Sequence, residues 1–266
     1  MHGHEREHLG TQTGIAFIAS QPFGALTGRH VEQAVEQFLQ TLPAAVAHAC
    51  NGSTSAGTQE GIIENTTFHG NTTTNVVGTS SALTVYQGAL TVRNSTFANN
   101  IVSPNAPSQR SDSGAVWGGS NAQVKLVSVL FDRNSRGTGN DYSDLARVGT
   151  TSLPSTLDVA NSLLRSGYSS SVITSQSAPN LFATDALLLP LDTSIGLAPI
   201  VPISRLSPAI DRGVNPGNLT TDQRGAGFAR AWSDPNYRNV PGLSKPDIGA
   251  YEYRGDAIFV GDFEQR

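Results

Sequence analysis

The sequence predicts an all-β fold: a single-stranded parallel β-helix (solenoid) with an N-terminal amphipathic helix and an irregular C-terminal cap. Three observations lead there. A nine-residue unit recurs at a solenoid-like period. Within each unit the apolar anchors stand an odd number of residues apart about an asparagine. Charge is sparse, with Asp, Glu, Lys and Arg making up 14% of 266 residues. The expected organisation is an N-terminal segment over 1–55, β-helix rungs over 56–178, a capping region over 179–255 and a tail over 256–266.

The chain opens Met-His-Gly-His-Glu-Arg-Glu-His. His2, His4 and His8 lie close enough to hold a metal weakly, and a frayed, solvated terminus is the expectation. From Thr27 to Leu42 the residues Val31, Ala34, Val35, Phe38, Leu39 and Leu42 repeat at helical spacing and form one apolar face. Thr27 is placed to cap this helix, and Pro43 stops it. The helix over 28–42 is expected to lay Val31, Val35, Phe38 and Leu42 over the first rung, because an open strand edge invites pairing with other chains. Cys50 is the sole cysteine, so neither an internal disulfide nor a paired-cysteine zinc site exists.

The repeat begins near Ile62. Ile63-Glu-Asn65-Thr-Thr-Phe68-His-Gly-Asn71 matches Val92-Arg-Asn94-Ser-Thr-Phe97-Ala-Asn-Asn100 position by position. Leu126-Val-Ser128-Val-Leu-Phe131-Asp-Arg-Asn134 keeps the outer positions, and Val159-Ala-Asn161-Ser-Leu-Leu164-Arg-Ser-Gly167 keeps the first asparagine. The Phe or Leu anchors step by 29, 34 and 33 residues, inside the ~20–45 residues of stacking repeats. Ile63 and Phe68 are five apart, so one straight strand would place them on opposite faces. A bend at Asn65 turns both inward, since asparagine tolerates left-handed backbone geometry. Stacked in register, Asn65, Asn94 and Asn161 are expected to form an amide ladder. Phe68, Phe97, Phe131 and Leu164 are expected to form the apolar one. Insertions at 103–113 and 136–147 read as loops on one side.

Composition excludes several function classes. Net charge is −4 and the lysines are Lys125 and Lys245 alone, so no basic stripe meets nucleic-acid phosphates or anionic lipid. No apolar stretch approaches the ~20 residues that span a bilayer as a helix. Sequons at Asn51, Asn65, Asn71, Asn94 and Asn218 arise freely in Asn/Thr-rich sequence, and two of them are the expected bends, too enclosed for a glycan.

Beyond Asn180 the repeat gives way to Asn180-Leu-Phe-Ala-Thr-Asp185, Leu206-Ser-Pro208-Ala-Ile-Asp211-Arg-Gly213, Thr221-Asp222-Gln223-Arg224-Gly225 and Pro246-Asp247-Ile248-Gly249-Ala250-Tyr251-Glu252-Tyr253. In this order the motifs resemble the C-terminal part of bacterial surface and secreted right-handed parallel β-helix proteins of the choice-of-anchor Q type. The asparagine units before them are similar to the repeats of polymorphic outer-membrane proteins. The resemblance implies an extracellular or bacterial cell-surface location and an adhesin-like or structural role. Its expected partners are surface glycans or host and matrix proteins, with no nucleic acid, membrane span or cofactor. Such proteins usually carry a signal peptide and more rungs. Neither is recognisable here, which leaves a C-terminal fragment of a larger protein and a degenerate gene both open.

Parallel β-helices also resemble the scaffold of pectin lyases and polygalacturonases, so a polysaccharide-active enzyme or a carbohydrate-binding module is the alternative reading. That chemistry needs converging carboxylates with separated pKa values. Between Gly61 and Phe131 only Glu64 and Asp112 are acidic, and no catalytic residue is assigned. Asp211, Asp222, Arg224, Asp247 and Glu252 form the densest polar set. As a metal site they would be a calcium cage, which takes about six to eight oxygens. As a structural set, Arg224 pairs with Asp211 or Asp247 while the other acids cap glycine turns. The structural reading is preferred and no metal is assigned. Trp117, Trp232, Tyr237, Tyr251 and Tyr253 are candidates for a sugar-stacking platform, with packing the expected role.

Overall fold

Ala122-Gln-Val-Lys-Leu-Val127 shows the local rule of the fold. Ala122, Val124 and Leu126 are buried while Gln123 and Lys125 are exposed, as a half-covered strand requires. The computed structural model describes residues 13–18, 47–49, 60–73, 80–85, 88–102, 113–137, 142–149, 151–152, 154–196, 198–232 and 245–255.

The strands in chain order are β1 (Thr13–Ile18), β2 (Ala47–Ala49), β3 (Glu60–Glu64), β4 (Thr66–Thr73), β5 (Leu83–Val85), β6 (Gly88–Arg93), β7 (Thr96–Ala98) and β8 (Ile101–Val102). They continue with β9 (Val116–Gly118), β10 (Ala122–Val127), β11 (Leu130–Asp132), β12 (Ser135–Arg136), β13 (Leu145–Arg147), β14 (Thr156–Ala160) and β15 (Leu163–Leu164). The described elements are all β, and no described helix is long and apolar enough to cross a membrane.

Three sheets result. The first is β2-β5-β9-β13 and the second is β3-β6-β10-β14. The third starts at β4 and continues through β7 and β8, then β11 and β12, then β15. Each pass of the chain feeds the sheets in the same order, and successive passes pair in parallel. The corner between the second and third sheets is the expected bend: φ is 48° at Asn65, 46° at Asn94, 58° at Ser128 and 48° at Asn161. A second left-handed corner follows five residues later at Gly70, Asn99 and Arg133. Inside, Phe68 stacks on Phe97 at 4.5 Å and Phe97 on Phe131 at 5.0 Å. Leu164 pairs in register with Phe131. The apolar ladder is as expected.

Of the two end structures, the C-terminal one differs from expectation. The helix over 28–42, Cys50 and the N-terminal histidines lie outside the described residues. The free edge of β4 is lined by β1, antiparallel to it, which removes an open row of backbone groups. At the other end, residues 175 and 181 continue the stack through parallel bridges to Asp158 and Leu163. The described residues of 186–196, 198–232 and 245–255 then leave the end and lie along the side. Ala98, Leu130 and Leu163, which alternate with the inward ladder, pack against Ala186, Leu188, Ile200, Val201, Ile203, Ala209, Ile248 and Tyr251 in a second core. The segment reaches back to the first pass, where Thr67 hydrogen-bonds Gln223. The expected cap is thus largely a covering layer on the third sheet.

Candidate functional site

Asparagine carries the polar spine, although at positions other than those expected. The bend residues do not bond to one another. Asn65 Nδ2 donates to Thr221 O at 2.8 Å and Asn94 Nδ2 to Val214 O at 2.7 Å, both in the covering segment. Their Oδ1 atoms are buried without a partner. Asn161, half-buried, shares the bend geometry. The amide ladder runs through the residues six positions on. Asn71 Nδ2 donates to Asn100 Oδ1 at 2.8 Å, and Asn100 Nδ2 donates to Asn134 Oδ1 at 2.8 Å. Asn134 Nδ2 then donates to Asp144 Oδ1 at 3.0 Å. Asp144 closes the row by accepting from Ser166 N and Oγ at 2.8 and 2.9 Å. The outer asparagine shared by the first three units was the available signal, and the bend asparagine drew the assignment because its conformation is special.

On the side wall, glycines bring the covering segment close. A Cβ on Gly249, whose φ is 110°, would stand 2.8 Å from Thr96 Oγ1 and 3.1 Å from Leu130 Cβ. With hydrogen there, Gly249 N donates to Ser128 O at 3.0 Å and Ala250 N to Thr96 Oγ1 at 2.9 Å. Gly213 has the same role, since a Cβ there would meet Ser128 Oγ and Asp247 O.

This close approach buries charge. Arg224 grips Asp222, with Nη2 to Oδ2 at 2.6 Å and Nε to Oδ2 at 2.9 Å, and donates to Glu252 O at 2.5 Å. Its guanidinium lies 4.0 Å from the Phe228 ring centre and 4.2 Å from that of Tyr251, a stacked cation–π setting. The expected pairing of Arg224 with Asp211 or Asp247 is therefore wrong. Arg224 is claimed by the carboxylate two residues back, across the tight turn that ends at Gly225 (φ 86°). Asp247 instead accepts Asp211 N at 2.8 Å and Tyr253 N at 2.6 Å. Glu252 accepts Trp232 N and Asp247 N, each at 3.0 Å. Every carboxylate oxygen of Asp222, Asp247 and Glu252 accepts an N–H of the chain itself. Among the described residues no His, Cys, Asp and Glu gather in a metal-holding group.

Arg230 went unremarked in the sequence and is 1% exposed. Its Nη2 donates to Asp247 O at 2.8 Å and Gly249 O at 2.6 Å, while Nε and Nη1 have no partner. Burial lowers its pKa. Burial raises those of Asp247 and Glu252, with the Asp247 charge adding to the shift at Glu252. Asp211, half-buried, is also raised by burial, opposed by Lys245.

A second charged group was also missed. Asp132 stands in the unit Phe131-Asp-Arg, on the outer face of the third sheet at the position of His69 and Ala98. It is buried with neither oxygen hydrogen-bonded. Arg133 Nε is 3.8 Å away and Arg165 Nε 3.9 Å, and Arg165 Nη1 pairs with Asp185 at 2.9 Å. Burial and the Asp185 charge push the Asp132 carboxyl up to about 6. Glu64, by contrast, pairs with Arg93 at 2.6 Å. Among the described residues the aromatics form no common platform, since Trp117 and Tyr251 are buried and Trp232 carries Arg254 on its face at 4.6 Å; Tyr237 lies outside the described residues. No family model matches the chain, and the curated proteins and solved structures likewise give no match.

Proposed function

We propose that the chain is a right-handed parallel β-helix that works without catalysis, as an extracellular or cell-surface scaffold for adhesion or display. One observation carries this reading. The charges that the C-terminal motifs offer for chemistry are engaged in holding that segment's own turns together, down to each oxygen of Asp222, Asp247 and Glu252. The outer face of the second sheet supports it. Gln123, Lys125 and Thr156 stand exposed on strands held in register, a regular polar wall suited to surface glycans or matrix proteins. The resemblance to choice-of-anchor Q and polymorphic outer-membrane repeats points the same way. The test is a binding screen against glycans and matrix proteins beside a cleavage assay on pectin and other uronates. Binding without turnover supports the scaffold, and turnover removes it.

A polysaccharide-active site is the second reading, favoured by Asp132. A carboxyl raised to about 6 beside Arg165 of the next pass is the kind of group that general acid catalysis uses. If cleavage is found, Asp132→Asn abolishes it under this reading.

A further inference from the structure

Five charged side chains meet within the covering segment: Asp222, Arg224, Arg230, Asp247 and Glu252, each 4% exposed or less. Three carboxylates against two guanidiniums leave one negative charge in excess where water does not reach. An uncompensated buried charge is costly. The geometry locates the excess. Asp222 is matched by Arg224. Arg230 donates to carbonyls alone and keeps two donors unpartnered. Asp247 and Glu252 are held by backbone N–H groups, and Asp247 N itself donates to Glu252 Oε2.

The groups facing this pair are few. Asp222 reaches it through Glu252 N, Arg224 through Glu252 O, and Arg230 through Asp247 O. Asp211, which faces Lys245, reaches it through its own N–H on Asp247. Next to Gly213, Gly249 and Ala250 the sheet beneath presents Thr96, Ser128 and Leu130, none of which titrates, while Arg93, against Gly217, is paired with Glu64.

We propose that Asp247 and Glu252 together retain one proton in the folded chain, and that this proton keeps the covering segment, described over 198–232 and 245–255, folded against the third sheet as a latch that opens when pH rises. With the proton in place the five residues are neutral as a set. Without it, a net negative charge is sealed among them. The upward shift that burial imposes on both acids agrees with this. Opening uncovers Ala98, Leu130 and Leu163, the apolar stripe that the closed segment covers. Both acids bind the proton more tightly folded than unfolded, so the latch is fully held below the ordinary carboxylate range and weakens as pH climbs. The opening equilibrium then grows about tenfold per pH unit while one proton is being lost.

The experiment compares the full chain with Glu252→Gln by limited proteolysis between about pH 5 and pH 10, side by side at each pH so that the protease's own pH dependence cancels. Circular dichroism follows the sheets. The expected result is that cleavage within residues 198–232 and 245–255 of the unsubstituted chain, relative to Glu252→Gln, rises by about tenfold per pH unit over part of that range, with the sheet signal unchanged. Equal cleavage of the two proteins at every pH overturns the proposal. Loss of the sheet signal together with cleavage also overturns it, because the segment is then no separate latch. Should Glu252→Gln fail to fold, Asp247→Asn carries the same comparison.

Discussion

Asn100 sits at the centre of the buried amide row. It accepts from Asn71, donates to Asn134 and donates to Phe68 O at 3.0 Å. Asn94 makes one side-chain bond and leaves its Oδ1 unpartnered. Asn100→Ala is therefore expected to cost more than Asn94→Ala, about 1–3 kcal/mol for each polar group left buried and unpaired. Urea unfolding of the two variants measures the order. Phe97 lies between two stacked rings and is 0% exposed, so Phe97→Ala is expected to lose about 3–5 kcal/mol through the cavity it leaves. Asp132 behaves differently from both. Its carboxyl is raised, so its charge lowers stability as pH rises from about 4 through about 6. Asp132→Asn should flatten the stability profile across that interval and leave the variant more stable than the parent at pH 8, read from urea midpoints at each pH.

Among the elements, the corners do most to set the path. Each left-handed residue at Asn65, Asn94, Ser128 and Asn161 turns the chain from the second sheet into the third, and local sterics permit that at asparagine. The covering segment obeys another constraint, the nearness of two backbones at Gly213 and Gly249. Gly249→Val places a branched side chain at φ 110° against Thr96 and Leu130. The backbone conformation alone should cost about 1–3 kcal/mol. The segment is expected to become protease-sensitive while the stacked passes keep their circular dichroism. Uniform unfolding of the whole chain by this variant would mean that the segment and the stack form one cooperative unit.

For the whole molecule, the buried acids Asp132, Asp144, Asp247 and Glu252 are all shifted upward, chiefly by burial. Each binds its proton more tightly folded than unfolded, so stability should fall as pH rises above the ordinary carboxylate range near 4. Thermal unfolding at pH 5 and pH 8 checks the sign, with the higher midpoint expected at pH 5. The strands, the left-handed corners and the Phe68–Phe97–Phe131 stack were legible from the sequence, because side-chain alternation and the conformational tolerance of asparagine act over a few residues and repeat at a measurable spacing. Even the outer asparagines Asn71, Asn100 and Asn134 stood in the aligned units, though nothing local distinguished a ladder amide from a bend amide. Tertiary structure alone decided which amides met, since Asn65 finds Thr221 across 156 residues and Asn94 finds Val214 across 120. It likewise decided that the C-terminal motifs lie along the side of the stack, that Arg230 is sealed among three acids and that Asp132 is buried. Those outcomes depend on which apolar face remains uncovered once the passes have stacked, a quantity that no short window of residues contains.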